Sequence, residues 1–296
     1  MKDRLTIVVT CANRKSLPVS PALRFRSVPP GALARRVDTW ISRLASSEAT
    51  RTLDKLYQGE GWTESLKLPN VARSVGFDPT LLVVSAGLGL QGLDAKAPGY
   101  AATLALRHAD AVANSVELAR QWWTDLTDRL SGLTLTGLTG PVLLVLSNTY
   151  VPPLADDLAA LGTRGDGVCL LGGALEFDGV HHVPTDAALR QSLGGTRSSI
   201  NQRMAAAFLR VSGGPAQWLS SRHLERWERW ESTSRVVERY DRQRGSDDEV
   251  RVWIRRTRRA DSSLSATSAL RAYRDQGMAC EQARFGGLFR EVVRDQ

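Results

Sequence analysis

Cysteine, histidine and methionine, the residues that build most redox and metal centres, are scarce in this chain. Its 296 residues include three cysteines, four histidines and three methionines. The cysteines, at positions 11, 169 and 280, form no Cys-x-x-Cys motif and indicate no disulfide framework. His181 and His182 are adjacent, so on a strand they would point to opposite faces. We therefore predict no metal site and no bound cofactor.

The sequence also lacks a long apolar run. No stretch approaches the ~18 apolar residues that span a bilayer, and the N-terminal segment lacks the apolar region of a signal peptide. We therefore predict a cytoplasmic protein with no membrane association. The composition, 42% hydrophobic and 24% charged, is typical of a globular protein. A formal net charge of +8 gives weak support for polyanionic partners.

Four short apolar runs predict buried strands, at residues 5–11, 80–87, 141–148 and 167–173. Each is rich in Val, Ile or Leu without strict alternation, which is typical of parallel strands covered on both faces. Helical periodicity separates them, at 31–45 and 109–130. This order predicts an α/β fold with a three-layer, doubly wound, mostly parallel sheet. Ligands of such sheets bind beyond the carboxyl ends of the strands.

We predict an α/β domain over residues 1–213 and a basic helical module over 214–296. In the second region, residues 217–243 predict a charged, tryptophan-bearing helix. Residues 263–293 predict a helix, a turn at Gly277 and a second helix. A tight helical pair of this size is typical of a helix-turn-helix-like or winged-helix-like module.

The stretch 250–260, with five arginines, has two interpretations. If its arginines share one face, they neutralise backbone phosphates; if it is a solvated edge strand, the charges prevent aggregation. Because a helical pair follows, we favour nucleic-acid contact. The residues predicted to bind nucleic acid are Arg255, Arg256, Arg258, Arg259, Gln282 and Arg284.

The run GLGLQG at 87–92 matches the G-x-G-x-x-G pattern of dinucleotide-binding proteins. That pattern requires a helix that begins at the glycines and faces the pyrophosphate. Here Pro98 and Gly99 would break such a helix within two turns. We therefore do not predict NAD or FAD binding.

Cys11, at the end of the first predicted strand, also has two interpretations. Arg14 and Lys15 follow closely, and neighbouring cations can activate a thiol. Alternatively, a cysteine that ends a buried strand is only a small apolar residue. No histidine lies nearby in the sequence, and from spacing alone we favour the second interpretation.

The stretch GGTRSSINQR, at 194–203, precedes another predicted helix. Backbone N–H groups at such a start, together with Arg197, suit a phosphate or a carboxylate. An ordinary helix capped by Thr196 or Ser198 explains the same residues. Both interpretations remain open.

Four motifs in the first hundred residues resemble a family of uncharacterised bacterial proteins that often sit among phage-defence genes. The motifs are TCANRKS (10–16), LYQGEGW (56–62), VVSAGLGL (83–90) and PGY (98–100). The signature, Cys-x3-Lys followed by Ser-Ala-x-x-Gly-Leu, is similar to the Cys-x3-Lys domain of archaeosine synthase. That domain has a uracil-DNA-glycosylase-like α/β fold, and the enzyme modifies a 7-deazaguanine base in tRNA.

The resemblance implies that Cys11, Lys15 and Ser20 are site residues. The synthase pattern continues with Pro-Tyr after the lysine and ends with a histidine, whereas this chain has Ser16, Leu17 and Leu23. The missing histidine argues against the synthase's own reaction. The resemblance still implies a base pocket at the strand ends.

We therefore predict an α/β pocket that recognises a nucleobase or acts on it, by base modification or base release, with Cys11 and Lys15 as catalytic residues. In this hypothesis Tyr57 and Tyr100 stack on the base or hydrogen-bond it. The predicted ligand-binding residues are Asn13, Ser20, Tyr57, Ser85, Gly87, Gly89, Tyr100, Asn148 and Arg197. The expected partners are DNA or RNA and a small nucleotide or nucleobase. The alternative is a non-catalytic DNA- or RNA-binding adaptor with a degenerate α/β domain.

Overall fold

The computed structural model describes residues 3–130, 132–165, 167–236 and 242–295. The chain divides into two compact units, Met1–Val236 and Val237–Gln296. The first unit contains a mixed α/β arrangement around a six-stranded sheet, and the second consists mainly of helices.

The strands of the first unit are β1 (Arg4–Thr10), β2 (Arg51–Thr52), β3 (Asp78–Ser85), β4 (Gly89–Gly92), β5 (Lys96–Ala97), β6 (Val142–Val145), β7 (Val168–Leu171) and β8 (Val180–Val183). Its helices are α1 (Leu33–Ala45), α2 (Leu53–Leu56), α3 (Glu60–Ser74), α4 (Val116–Arg129), α5 (Ala155–Gly162), α6 (Arg190–Leu193), α7 (Ile200–Val211) and α8 (Ser221–Ser234). Short 3-10 helices lie at Pro21–Leu23, Phe25–Ser27, Pro152–Leu154, Ala187–Leu189, Arg197–Ser199 and Pro215–Gln217.

The main sheet has the strand order β4-β3-β1-β6-β7-β8. Strand β1 pairs in parallel with β3 and β6, β6 with β7, and β7 with β8, whereas β4 pairs antiparallel with β3. Every residue of β6 and β7 is buried. The α/β class and the mostly parallel sheet are therefore confirmed.

The strand order reverses at β1. From β1 the chain goes to β3 on one side, and it later returns to β6 on the other side. In open parallel sheets such a reversal leaves a crevice at the carboxyl ends of the two diverging strands, where ligands bind. The residues that follow β1 and β6 therefore lie at the edge of the sheet where a ligand is expected to bind.

The glycine-rich run 87–92 turns the chain back into β4, and no helix begins at its glycines. Gly89 has a φ of +69°, a conformation that glycine adopts without strain. The segment Leu82–Ser85 pairs with Gly89–Gly92, so the run forms an antiparallel connection. The helix that a dinucleotide motif requires is replaced by a strand.

The predicted helix at 31–45 is α1, and the one predicted at 109–130 begins later, at Val116. Ser115 accepts a hydrogen bond from the Leu118 N–H and caps α4. The residues before the cap form a separate loop, in which Asp110 is buried. Polar capping therefore decides where α4 begins.

Helix α8 belongs to the first unit. The domain boundary predicted at residue 214 had placed it in the second. Trp227 meets the Phe208 ring edge-on at 5.3 Å between centroids. His223 Nε2 lies 3.1 Å from the Phe208 carbonyl oxygen, and burial lowers the pKa of His223 to about 4. The helix predicted over 217–243 ends at Ser234, and residues 237–241 lie outside the described part of the chain.

The second unit consists of β9 (Gln243–Arg244), α9 (Asp247–Ala260), α10 (Ala266–Asp275), β10 (Met278–Ala279) and α11 (Gln282–Arg294). Strands β9 and β10 pair in parallel. The core of this unit comprises Val250, Ile254, Ala269, Leu270, Tyr273, Cys280, Phe285, Leu288, Phe289 and Val292. Helix α10 is followed by a turn at Gly277 (φ +79°), the short strand β10 and then α11.

The edge-strand interpretation of 250–260 is wrong, because this stretch lies in helix α9. Ser246 accepts a bond from the Glu249 N–H, and the Glu249 carboxylate accepts one from the Ser246 N–H. This reciprocal capping box begins the helix. Val250 and Ile254, four residues apart, then face the core.

Within the described ranges, no helix is long and apolar enough to cross a membrane. The same residues also bring together no group of three or more His, Cys, Asp or Glu side chains that could hold a metal ion.

Candidate functional site

Three strand ends converge at the reversal of the strand order. Cys11 follows β1, and its N–H donates to the Val84 carbonyl oxygen at 3.0 Å, which extends the pairing with β3. Ser85 is the last residue of β3, and Tyr150 lies in the turn after β6. The Cys11 Sγ and the Tyr150 Oη are 3.1 Å apart. The side chains after β1 and β6 therefore meet directly.

Lys15 is held close to the end of β1 by contacts with the segment before α3. Lys15 and Tyr57 form an isolated antiparallel bridge. The Gln58 N–H donates to the Arg14 carbonyl oxygen at 2.9 Å beside that bridge. The segment before α3 thus fixes the lysine in place.

The Lys15 ammonium is held by main-chain carbonyls and aromatic rings. Its Nζ donates to the carbonyl oxygens of Ala12 at 3.1 Å and Asn13 at 3.3 Å. The same atom lies 4.3 Å from the Tyr100 ring centroid and 5.5 Å from that of Tyr57. Carbonyl oxygens and aromatic faces both stabilise a cation. Tyr57 and Tyr100 are buried, so their rings contact the lysine and leave no open face for a base.

Burial nevertheless lowers the pKa of Lys15 below its ordinary value, and the charges of Cys11 and Asp110 oppose that shift. Asp110 is buried and binds the Arg26 guanidinium through Nε at 2.8 Å and Nη2 at 2.5 Å. That bidentate pair keeps the pKa of the Asp110 carboxyl low. A fixed negative charge therefore accompanies the lysine.

Behind the lysine, three hydroxyl groups form a hydrogen-bonded chain. The Ser85 Oγ and the Tyr100 Oη are 2.6 Å apart, and the Tyr100 Oη and the Tyr57 Oη are also 2.6 Å apart. The Ser85 Oγ also accepts the N–H groups of Gly87 and Leu88 at 3.2 Å. Burial raises the pKa of both tyrosines, so their hydroxyls stay protonated at neutral pH.

Gly87 is required by packing. A Cβ atom on Gly87 would lie 2.8 Å from the Tyr100 Cε2 and 3.1 Å from the Trp40 Cζ2. The Trp40 indole N–H donates to the Gly87 carbonyl oxygen at 2.8 Å. Gly89 lies in β4, where a Cβ atom would be 3.4 Å from Leu130, the residue that follows α4. Gly87 therefore packs against Tyr100 of the site, whereas Gly89 packs against the end of α4.

The remaining predicted ligand-binding residues of this edge lie on its surface. Asn13, Ser20 and Asn148 are exposed. Tyr150, two residues after Asn148, was not among the predicted residues, although its side chain is the one that meets Cys11. The polar run Ser-Asn-Thr-Tyr (147–150), which follows the third predicted strand, indicated that a site residue could lie here. The sequence of a turn does not show which of its side chains points inward.

The segment 194–203 does bind a carboxylate, and that carboxylate belongs to Glu60 of α3. The Glu60 Oε1 accepts the Thr196 N–H at 3.1 Å, the Ser199 Oγ–H at 2.9 Å and the Arg203 Nη2–H at 3.0 Å. These donors lower the pKa of Glu60 to about 2. Arg197 is exposed, and Arg203 takes the pairing role that was predicted for Arg197.

In the second unit, the predicted arginines of α9 differ in exposure. Arg255, Arg256 and Arg259 are exposed, and none has an ion-pair partner within the described ranges. Arg258 is half-buried, with its guanidinium 5.5 Å from the Phe289 ring centroid. Three unpaired cations therefore share the solvent side of this helix.

The two predicted residues of α11 also differ. The Arg284 guanidinium binds the Asp247 carboxylate at 2.6 Å and donates to the Gly245 carbonyl oxygen at 3.0 Å. Gln282 is exposed at the first turn of the helix. Arg284 thus connects α11 to the start of α9, and Gln282 is free to contact a partner.

The chain matches no protein-family model, and a search of curated proteins finds no similar sequence. The resemblance to the Cys-x3-Lys family therefore stays a prediction.

Proposed function

We propose that the first unit binds a nucleobase and acts on it, by modification or release, and that the second unit holds the DNA or RNA. One observation carries the proposal: Cys11, Lys15 and Tyr150 lie at the carboxyl ends of β1 and β6, where the strand order reverses. Open parallel sheets place their ligands at that point.

The proposal includes a doubly wound, three-layer arrangement of the first unit. Helices α3 and α7 pack together, and α1 and α4 pack together, which is what two separate helical layers require. Helix α3 contacts β1 and β3, and α7 contacts β6 and β7. These contacts support one helical layer over the centre of the sheet.

The chemistry of the site suits a polar, planar ligand. The half-exposed Cys11 supplies a sulfur atom, and Lys15 supplies an ammonium for a carbonyl oxygen or a developing negative charge. The exposed amides of Asn13 and Asn148 each offer one acceptor and two donor hydrogens to the edge of a base. In this proposal Cys11 and Lys15 do the chemistry and the asparagines read the base.

For the second unit we propose a helix-turn-helix-like role. Arg255, Arg256 and Arg259 of α9 would contact phosphates, and Gln282 would contact base edges. A second basic surface, an open groove beside β9 and β10, is lined by Arg242, Arg244, Arg274 and Arg284 together with Glu281. Both surfaces suit a polyanionic backbone.

A non-catalytic adaptor is the second candidate. One observation favours it: the Lys15 Nζ donates hydrogen bonds to the main-chain carbonyl oxygens of Ala12 and Asn13. A lysine that organises its own loop has a structural use without chemistry. In that case the second unit would account for the whole nucleic-acid interaction.

The catalytic part is tested by incubating the full chain with oligonucleotides that contain each base and following their masses. We expect a base to be modified or released, with the activity lost in Cys11→Ala and Lys15→Ala while the melting temperature stays nearly unchanged. A large loss of stability in these variants, with activity per folded molecule intact, would refute the catalytic roles. Unchanged oligonucleotide masses together with tight binding would establish the adaptor.

The nucleic-acid part is tested by the salt dependence of binding to a fluorescent duplex. A variant with Arg255, Arg256 and Arg259 replaced by Ala should lower the slope of log K against log salt by about 0.9 per lost phosphate contact. The control replaces three exposed arginines of the first unit, Arg35, Arg222 and Arg229, and removes the same charge. Equal slopes for the two triple variants would contradict the assignment.

A further inference from the structure

We propose that the first unit carries a second binding surface, which holds single-stranded nucleic acid in an open groove between the end of α7 and α8. This α7–α8 groove has a volume of about 500 Å³, and its lining includes Arg210, Val211, Arg226, Arg229, Trp230 and Thr233. The inference rests on the proposed function only in taking nucleic acid as the partner of the chain.

The α7–α8 groove is separate from the candidate site around Cys11 and Lys15. The Asn201 side chain, at the start of α7, donates to the carbonyl oxygen of Leu146, the residue that follows β6. That end of α7 therefore lies at the carboxyl edge of the sheet. Val211, the last residue of α7, is about 15 Å farther along the helix axis, at 1.5 Å per residue. The groove thus lies at the other end of this helix.

The lining of the groove is cationic. It includes three arginines, and no Asp or Glu lines it within the described part of the chain. Arg210 and Arg229 are exposed, and the side chain of neither forms an ion pair or a hydrogen bond with any described residue. Both guanidinium groups are therefore free to bind an anion. The charge of the groove favours a partner that carries phosphates or carboxylates.

Arg226 fixes the shape of the groove. Its Nε donates to the Val211 carbonyl oxygen at 2.7 Å, and its Nη2 donates to the Ser212 carbonyl oxygen at 2.5 Å. A Cβ atom on Gly213 would lie 2.6 Å from the Arg226 Nη2, so the glycine leaves room for the guanidinium. Arg226 therefore ties the end of α7 to α8 and occupies the main-chain acceptors there.

Trp230 gives the groove an aromatic surface. Its ring stacks on that of the buried Trp227, with centroids 5.1 Å apart and planes at 27°. Trp230 itself is half-buried, and its indole N–H donates no hydrogen bond to any described residue. An indole that is supported on one side by a buried ring offers a rigid platform to a planar group on the other.

Cationic and aromatic side chains in one groove are the combination that binds single strands, because arginines contact the phosphates while the bases stack on aromatic rings. A duplex keeps its bases paired and stacked on one another, so it has no base face to offer Trp230. An acidic peptide matches the charge, but Arg226 already occupies the carbonyl oxygens of Val211 and Ser212 that a peptide backbone would use. Phosphates and base faces are common to DNA and RNA, so we expect the groove to bind both equally.

The aromatic part is tested by fluorescence anisotropy of the full chain with a fluorescein-labelled single strand of about 12 nucleotides, as DNA and as RNA. Trp230→Ala should weaken binding of both strands at least about fivefold, the loss expected for one stacked base. Trp230→Phe keeps a smaller ring and should lose less. The affinity for a duplex of the same sequence should not change. Circular dichroism establishes that each variant is folded.

The cationic part is tested by the salt dependence of single-strand binding, in a full chain that already carries the triple α9 substitution. Arg229→Ala should lower the slope of log K against log salt by about 0.7, which corresponds to one lost phosphate contact with a single strand. Arg35→Ala is the matched control, since Arg35 is an exposed arginine on α1 and its removal changes the net charge equally.

The inference is overturned if folded Trp230→Ala binds the single strands as tightly as the unmodified chain, or if Arg229→Ala and Arg35→Ala change the slope equally. It is also overturned if a polyglutamate peptide of equal charge binds as tightly as the strands and loses affinity in Trp230→Ala and Arg229→Ala, because the groove is then a site for acidic peptides.

Failure of this inference can be told apart from failure of the proposed function. Base modification and duplex binding through α9 are measured on other variants and can succeed while the groove binds nothing. Conversely, single-strand binding that depends on Trp230, in a chain that changes no base and whose duplex binding does not depend on α9, would refute the proposed function alone.

Discussion

A Tyr100→Phe substitution removes the middle hydroxyl of the chain between Ser85 and Tyr57. Two hydrogen bonds of 2.6 Å are lost, and both remaining hydroxyls belong to residues that are at most 2% exposed. At about 1 kcal/mol for each neutral hydrogen bond, the free energy of unfolding should fall by about 2 kcal/mol. For a unit of this size that corresponds to a decrease in melting temperature of about 4 to 8 °C. The ring itself is kept, so its edge-on contact with Trp40 is preserved.

The measurement is urea unfolding followed by tryptophan fluorescence and circular dichroism, with Tyr273→Phe as the control. The Tyr273 hydroxyl is also buried, but it has no hydrogen-bond partner in the described part of the chain. Its removal should therefore leave the stability of the second unit unchanged or raise it. Equal losses in the two variants, or a Tyr100→Phe loss under about 0.5 kcal/mol, would refute the reasoning about the hydroxyl chain.

Two further predictions concern the surroundings of the site. The pKa of Glu60 is held at about 2, below its ordinary value of 4.5, so its carboxylate contributes fully to stability above about pH 4.5 and loses that contribution as the pH falls toward 2. Glu60→Gln should flatten that part of the acid-unfolding curve measured by circular dichroism, and an unchanged curve would contradict the role of this carboxylate. A Cβ atom on Gly99 would lie 2.3 Å from the Pro18 carbonyl oxygen, so Gly99→Ala should lower the free energy of unfolding by about 1 to 3 kcal/mol. Gly287→Ala, where the Cβ atom meets nothing within 4 Å in α11, should raise it by about 0.5 to 1 kcal/mol in the same urea titration, and a loss at both glycines would count against the clash.

The parallel strands could be predicted because a strand that is buried on both faces needs an apolar side chain at nearly every position. Runs such as Val142–Val145 are continuously apolar, which neither an exposed strand nor a surface helix permits. The arginine-rich stretch at 250–260 is different, since a charged surface helix and a charged edge strand have similar compositions. Its deciding signal was the Ser-Asp-Asp-Glu sequence at 246–249, which forms the capping box of α9.

The candidate site was partly predictable for a related reason. Parallel strands end at one edge of a sheet, so Cys11 and Ser85 were expected to be neighbours, and the Cys11 N–H donates to the carbonyl oxygen of Val84, the residue before Ser85. Which residue of a turn faces inward depends on backbone geometry that composition does not encode. For that reason Tyr150 was missed.

The position of β1 also has a consequence for how the chain is made. This strand is synthesised well before β6, yet it lies inside the sheet and pairs on one side with β6, where Thr6 is the register partner of Val142. Until residue 145 has been synthesised, the N–H and C=O groups on that side of β1 stay unpaired and open to other chains. Such distant pairing also makes folding slow, because a long loop must close before the contact is formed. The strand that begins the candidate site is therefore also a segment that can pair with other chains during synthesis.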